Sequence, residues 1–278
     1  MEQARSFVKE HKILLLAIFL CLSYHGGMVF WTFRGTYDAW VHIFFADHWR
    51  RTLFDHWNYR WYTGFPMVGY PPGSQQSVGM LSKLIGLESA FAVVQLFAVT
   101  NCTIGIYRFS KIWATDPKAP GYAALYFVFC SSITETIHTF GQLPTTFSLG
   151  FILNTIPFMY RWLRKGEFHI LLVAWTWNAA TTAGHHVTTL FGAVFFLAPV
   201  MVLAIVQSLQ EPVPGESEEH PSILTRKNLW PLIWRRVRRI LPTVLRCGVY
   251  GVGMIALLVI VPLMILLLGS LRMGLISM

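Results

Sequence analysis

The 41 residues from 170 to 210 contain no Asp, Glu, Lys or Arg. A helix needs about 20 apolar residues to cross the hydrocarbon core of a bilayer. This run is therefore too long for one membrane span but suits two, joined by a turn at residues 183–186. Five further runs with little or no charge, at residues 13–33, 89–107, 120–137, 145–160 and 247–271, predict five more spans. The sequence thus predicts an all-α polytopic membrane protein with seven transmembrane helices.

The distribution of Lys and Arg predicts how these spans are oriented. With a cytoplasmic N-terminus, 16 of the 22 basic residues fall in segments on the inner side, as the positive-inside rule requires. We therefore expect a multi-pass protein of the plasma (inner) membrane that forms one transmembrane domain over residues 1–278. Residues 34–88 form its first large extracytoplasmic loop, and residues 209–246 form a cytoplasmic loop.

The same distribution explains the net charge of +9 without a nucleic-acid partner, because no basic stretch carries the signature of a nucleic-acid-binding fold. The four cysteines lie in apolar runs without CxxC spacing, which indicates neither a disulfide framework nor a zinc site. Within the cytoplasmic loop, residues 211–221 predict a flexible connector, and residues 229–246 predict a basic amphipathic helix on the membrane lipids of the inner leaflet.

Residues 37–57, in the extracytoplasmic loop, predict an interfacial helix, since apolar positions recur and no Gly or Pro interrupts. Asp38 and His42 are four positions apart and project from one face of that helix. Asp47 is nine positions beyond Asp38 and points to nearly the opposite side, so the two acids do not form a carboxylate pair.

The segment after this helix, residues 58–72, contains Gly and Pro residues that prevent regular structure. Its rings, Trp61, Tyr62 and Tyr70, offer flat surfaces for a sugar or a lipid headgroup, or form an aromatic belt at the membrane surface. Arg34 and Arg60, on the same side, suit the phosphate oxygens of a lipid-linked substrate or of membrane lipids.

Four more residues are predicted to meet this loop. Glu135 and His138 stand at the outer end of the third span, where an acid near membrane depth is a candidate functional group. His185 and His186 stand at the outer turn between the fifth and sixth spans. Adjacent side chains diverge, so a divalent metal there would need ligands such as Asp38 or His42; hydrogen bonding to a substrate or a helix is the alternative.

Several short motifs resemble those of a known superfamily. They are D-x3-H at Asp38 and His42, W-Y-T-G-F-P at residues 61–66, Y-P-P at residues 70–72 and G-H-H at residues 184–186. With the order of spans and loops, they resemble the GT-C superfamily of polytopic glycosyltransferases. They are also similar to the bacterial 6-pyruvoyl-tetrahydropterin synthase-related membrane proteins, whose family name implies no pterin chemistry here.

The resemblance implies a seven-helix module with interfacial helices in the first outer loop. It also implies transfer of a sugar, with inversion, from a polyprenyl-phosphate-linked donor to an acceptor on the extracytoplasmic face. Asp38 would be the general base, and Arg34, Arg60 or a divalent cation would stabilise the leaving phosphate.

A non-catalytic membrane subunit with a glycosyltransferase-like fold and protein partners is the alternative. The first loop lacks an adjacent acidic pair or DxD motif, and the sequence ends at Met278, shortly after the seventh predicted span. Both departures from the family pattern favour this second interpretation. A transporter ranks third, since the sequence contains no recognisable inverted repeat.

Overall fold

A computed structural model describes residues 2–62, 64–67, 71–211 and 226–276, and most of these residues are helical. The helices are α1 (Glu2–Thr32), α2 (Ala39–Arg51), α3 (Gly73–Ile85), α4 (Leu87–Ser110), α5 (Ala119–Val128), α6 (Ser131–Glu135), α7 (Leu143–Lys165), α8 (Phe168–Gly184), α9 (His186–Gly192), α10 (Ala198–Gln210) and α11 (Arg226–Ile276). A 3-10 turn (Phe33–Gly35) follows α1, and π-helical turns (Thr136–Phe140 and Ala193–Leu197) follow α6 and α9. The strands β1 (Trp57–Asn58) and β2 (Phe65–Pro66) form one short antiparallel pair, in which Trp57 is opposite Pro66.

The all-α class and the membrane character predicted from the sequence are confirmed. Four helical segments are long and apolar enough to cross a bilayer, namely His11–Gly35, Leu87–Ser110, His186–Gln210 and Trp234–Leu268. Three predicted spans remain. The first overlaps α5 and α6, the second overlaps α7 and the third overlaps α8, and each of these helices is shorter than the four segments above. As the sequence predicts, the apolar run of residues 170–210 is divided, since α8 ends at Gly184 and α9 begins at His186.

Three predicted boundaries are wrong. The run 120–137 is not one helix, because the backbone of Cys130 is extended (φ −65°, ψ 126°) and separates α5 from α6. The helix predicted for residues 37–57 occupies Ala39–Arg51, since the backbone of Thr52 leaves the helical conformation (φ −140°, ψ 83°). The basic helix of residues 229–246 and the last span are parts of one continuous 51-residue helix, α11. Of the predicted connector at residues 211–221, all but Glu211 lies outside the described residues.

The core of the bundle depends on a close crossing between α4 and α7. A Cβ atom on Gly105 would lie 2.7 Å from the Cβ atom of Leu153, so only glycine permits this approach. Beside it, the Asn154 amide donates to the backbone and side-chain oxygens of Asn101 at 3.0 and 3.1 Å. Small residues and interhelical amide hydrogen bonds are the usual means by which apolar helices associate in lipid.

The chain connections gather at two opposite ends of the bundle. At the first, which we call the Asp38 end, α2 meets the turn before α7, and a Cβ on Gly73 would contact the Ala183 carbonyl at the end of α8. At the second, the Lys12 end, His11 lies 5.9 Å from the ring of Tyr107, and Arg246 donates to the Leu163 carbonyl at 3.0 Å. The segments predicted to be extracytoplasmic thus share one end.

Candidate functional site

Asp38 directly precedes α2 and is fixed by the turn that leads into α7. Its backbone N–H donates to the Phe140 carbonyl at 2.9 Å. The adjoining Gly141 has φ +70°, and a Cβ there would lie 2.4 Å from the Thr36 hydroxyl oxygen, so a glycine is required by both conformation and space. This packing sets the position of the half-buried Asp38 backbone.

The two carboxylate oxygens of Asp38 have different surroundings. The Gln142 amide Nε2 donates to Oδ2 at 2.8 Å, while the Gln142 Oε1 accepts from the Thr145 hydroxyl at 3.0 Å. No group within the described part of the chain donates to Oδ1. The Asp38 carboxylate is therefore fixed through Oδ2, while Oδ1 is left to accept a hydrogen bond from another molecule.

His42 lies one turn after Asp38 on the same face of α2, as the spacing predicts, and it is buried. Its Nδ1 lies 3.4 Å from the Gln75 amide of α3, and Gln75 in turn accepts from the Ser74 hydroxyl at 3.1 Å. Burial, followed by the nearby imidazole of His185, lowers the pKa of His42 to about 4. At neutral pH His42 is therefore an uncharged hydrogen-bonding group.

His185 occupies the break between α8 and α9 and brings that junction to α2. Its Nδ1 lies 2.8 Å from the Thr188 hydroxyl. Burial and then the neighbouring His186 lower the pKa of His185 to about 4. The rings of His185 and His186 are 6.1 Å apart and inclined by 61°, so they diverge as predicted. Asp38 and His42 are therefore placed together by α2, and His185 lies near enough to His42 for its imidazole to affect the pKa of His42.

His186 turns to a cavity of about 470 Å³ at the Asp38 end. The walls are mainly apolar and come from the loop after α2, from α9 and from α11: His56, Met67, Pro71, Pro72, His186, Leu190, Leu258, Pro262, Ile265 and Leu266. His56 Nε2 donates to the Ile265 carbonyl at 2.8 Å, which ties the loop to α11. The cavity has the composition that an apolar chain with a polar end requires.

Arg60 belongs to a separate charged cluster around Asp47, which we call the Asp47 cluster. Arg50, Arg51 and Arg60 approach the Asp47 carboxylate at 3.2, 2.9 and 2.8 Å. Burial acts to raise the pKa of Asp47, but hydrogen bonds from Arg60 and Arg51 outweigh it and hold that pKa below its usual value. Nine residues of helix separate Asp47 from Asp38, about 13 Å along the axis.

The aromatic residues predicted to bind substrate lie near this cluster rather than near Asp38. The centre of the Trp61 ring lies 4.9 Å from that of Phe45, in the middle of α2, and the centre of the Tyr62 ring lies 4.8 Å from that of Trp61. Tyr62 has a positive φ of 45°. Tyr70 lies outside the described residues.

Neither Arg34 nor Glu135 forms a hydrogen bond or ion pair with the Asp38 carboxylate in the part of the chain that the structure describes. Arg34 pairs with Glu88 at 2.9 Å, and 63% of its side chain is exposed. Glu135 is exposed, and its side chain has no hydrogen bond or ion pair to any residue that the structure describes. The predicted convergence of these groups on one site is thus not seen among their contacts.

His138 is directed into the bundle, where it meets a residue that the sequence interpretation missed. Its Nε2 lies 3.0 Å from His25 Nδ1, its Nδ1 lies 2.8 Å from the Thr32 hydroxyl, and His25 Nε2 lies 2.9 Å from the Val128 carbonyl. An ionisable residue inside an apolar run is the signal that would have found His25. Gln75 and Gln142 were also missed, and no sequence pattern distinguishes them from other glutamines.

The described residues do not form a metal site, since no three His, Cys, Asp or Glu side chains among them lie together as ligands. Compared with protein-family models, curated proteins and solved structures, the chain matches none.

Proposed function

We propose that this chain is a membrane glycosyltransferase that moves a sugar from a polyprenyl-phosphate-linked donor to an acceptor hydroxyl at the Asp38 end. In this proposal the chain crosses the membrane seven times and the Asp38 end is extracytoplasmic. The observation that carries the proposal is the asymmetric Asp38 carboxylate, whose Oδ2 accepts from Gln142 while Oδ1 receives no hydrogen bond from the described residues. A general base needs this combination of a fixed position and an accessible oxygen.

In the proposed reaction Asp38 accepts one proton. The acceptor oxygen attacks the anomeric carbon, and Asp38 Oδ1 takes the hydroxyl proton across about 2.6–3.2 Å. The bond between the anomeric carbon and the phosphate oxygen breaks, and its electron pair leaves with the polyprenyl phosphate. The products are an inverted glycoside, the lipid phosphate and a protonated Asp38, which returns its proton to water.

The neighbouring histidines act as neutral groups in this scheme. With a pKa of about 4 each, His42 and His185 are uncharged near neutral pH and can donate to or accept from sugar hydroxyls. They do not supply positive charge to the leaving phosphate. Arg34 and Arg60 remain candidates for that role, since a guanidinium has five N–H donors and the hydrogen bonds to Glu88 and Asp47 use only some of them.

The cavity beside His186 supports a lipid-linked donor. Its mainly apolar walls suit an isoprenoid chain, and His56 and His186 supply polar groups at its edge. We place the lipid portion of the donor in this cavity and its sugar toward His185 and Asp38.

The test is sugar transfer by the purified protein with a panel of polyprenyl-phosphate sugars. We expect Asp38→Asn to lower turnover by about 10²- to 10⁴-fold while donor binding persists. Asp55→Asn is the matched control, because Asp55 lies in the same loop and its carboxylate accepts, among the described residues, only from the Trp57 backbone N–H at 2.9 Å. Equal turnover of the native protein and Asp38→Asn would remove the assigned role of Asp38.

A non-catalytic membrane subunit is the second candidate function, and one observation favours it. Within the candidate span Trp234–Leu268, only 6% of an apolar 18-residue stretch is buried inside the molecule, compared with 56% of the corresponding stretch of Leu87–Ser110. The apolar surface of α11 is thus available to a protein partner as well as to lipid. Co-purification of a stoichiometric membrane partner, together with no transfer from any donor, would favour the subunit.

A further inference from the structure

The Lys12 end contains a second cavity, of about 470 Å³, that the proposed transferase reaction does not use. It lies where the first turns of α1, the last turn of α4 and the start of α5 meet, and Gly121 of α5 packs against Ile13 of α1. Its lining includes Lys12, Lys111 and Lys118. Three lysines, one from α1 and two from the connection between α4 and α5, thus border one space.

These positive charges are largely uncompensated. Asp116 is the one acid that lines the cavity within the described part of the chain, and its Oδ1 accepts the backbone N–H of Lys118 at 2.8 Å. None of the three lysines forms an ion pair with a described carboxylate. Lys111 Nζ lies 5.4 Å from the centre of the Tyr107 ring, which holds it at the cavity wall. The lining therefore carries a net charge of about +2 that attracts an anion.

An apolar space adjoins this charged one. A cavity of about 600 Å³ shares Leu14, Tyr107 and Lys111 with the first and continues past Ile104, Ile112 and Pro157. Arg108, at its side, is already held by the Asn154 side-chain oxygen at 2.7 Å and by the Phe158 ring. A ligand that fills both spaces has an anionic head at the lysines and an apolar tail along α4 and α7.

We propose that the cavity between Lys12, Lys111 and Lys118 binds the phosphate-bearing headgroup of an anionic phospholipid, whose acyl chain lies in the adjoining apolar space. Basic pockets between transmembrane helices on the cytoplasmic side bind such headgroups. The site does not depend on the transferase reaction, and it lies at the opposite end of the bundle from Asp38.

The test is lipid binding by the purified full chain in detergent, measured by native mass spectrometry during titration with phosphatidylglycerol or phosphatidylcholine. We expect preferential retention of phosphatidylglycerol, and a loss of about fivefold in affinity for each lysine changed to Gln, in line with about 1 kcal/mol for each charge. The combined variant Lys12→Gln, Lys111→Gln, Lys118→Gln should show no preference for the anionic lipid.

The matched control removes three basic residues that do not line either cavity, with Lys165→Gln, Arg235→Gln and Arg236→Gln. This control variant should still prefer phosphatidylglycerol, because we attribute the preference to the cavity and not to the general basic charge of this end. Equal loss in both triple variants, or equal retention in both, would overturn the site. Inorganic phosphate at millimolar concentration should not displace the lipid. If phosphate displaces the lipid and the site shows no preference between the two lipids, the ligand of this cavity is a soluble phosphate and not a phospholipid.

Discussion

The imidazole rings of His25 and His138 lie within 8° of parallel, with His25 Nδ1 and His138 Nε2 3.0 Å apart. The Val128 carbonyl can only accept, so His25 Nε2 carries the proton and His25 Nδ1 is an acceptor. His138 Nε2–H must then donate to His25, and His138 Nδ1 must accept from the Thr32 hydroxyl. One carbonyl thus fixes the tautomers of both rings.

Replacing His138 by Ala should destabilise the bundle. The change leaves the buried His25 Nδ1 and the Thr32 hydroxyl without their partner, at a cost of about 1–3 kcal/mol in the free energy of unfolding. Thermal unfolding in detergent measures the effect. His169→Ala is the control, since 72% of that side chain is exposed, and its unfolding midpoint should match the native one. Equal midpoints for both variants would contradict the assigned role of His138.

The free energy of unfolding should fall as the pH is lowered from about 6.5 to about 4. Above pH 6.5 the imidazoles of His42 and His185 are neutral in the folded and unfolded chains alike, so their lowered pKa values have no effect. Below it, the unfolded chain binds protons that the folded chain excludes down to a pKa of about 4. Unfolding midpoints measured across this range should fall less steeply for the double variant His42→Gln, His185→Gln than for His169→Gln.

Gln142 is a positioning residue if the proposed function holds. Gln142→Leu removes the hydrogen bond to Asp38 Oδ2, and we expect kcat to fall about ten- to a hundredfold with little change in KM. Adding it to Asp38→Asn should cause no further loss, because both changes act through the same carboxylate. Gln207→Leu, at the Lys12 end, is the matched control and should keep native kcat. Additive losses in the double variant would separate Gln142 from Asp38.

Asp47→Asn should weaken the Asp47 cluster in a salt-dependent way. The change leaves three arginines without their shared carboxylate, but their side chains are 38–59% exposed, so solvent screens much of the effect. We expect a loss of about 1–2 kcal/mol in the free energy of unfolding at low salt, decreasing at high salt. Glu88→Gln breaks a single exposed pair with Arg34 and should cost less than about 1 kcal/mol. An equal and salt-independent loss in both variants would contradict the account.

Gly105→Ala should destabilise the α4–α7 crossing. The added Cβ would lie 2.7 Å from the Leu153 Cβ, so the helices must separate, at a cost of about 1–3 kcal/mol. Gly251→Ala is the matched control, since a Cβ added there meets nothing within 4 Å. This change should raise the free energy of unfolding by about 0.5–1 kcal/mol. Denaturant unfolding of both variants measures the difference, and a neutral Gly105→Ala would show that the helices yield easily.

The sequence predicts features that depend on neighbours along the chain. The apolar runs predict membrane helices, the length of the uncharged run 170–210 predicts a break at residues 183–186, and the four-residue spacing predicts that Asp38 and His42 share a face of α2. Each follows from helical periodicity or from the length needed to cross a bilayer.

The partners of the site residues could not be predicted, because they lie far away in the sequence. Gln142 is 104 residues from Asp38, and His138 is 113 residues from His25. Helix packing alone decides these pairs. Arg60 likewise pairs with Asp47 and not with Asp38, because Arg60 lies between β1 and β2, which follow the end of α2 nearer to Asp47. The continuity of α11 was missed because the basic residues up to Arg246 indicated a surface helix, and the uncharged run from Cys247 indicated a separate span.

The length of α11 gives the chain a mechanical property. Its 51 residues extend about 77 Å, more than twice the roughly 30 Å of bilayer hydrocarbon. Its later turns line the cavity beside His186, and the His56 hydrogen bond to the Ile265 carbonyl attaches the loop after α2 to them. A displacement of α11 near Arg226 would thus be transmitted along one continuous helix to two walls of this cavity, the one that α11 forms and the one that the loop after α2 forms.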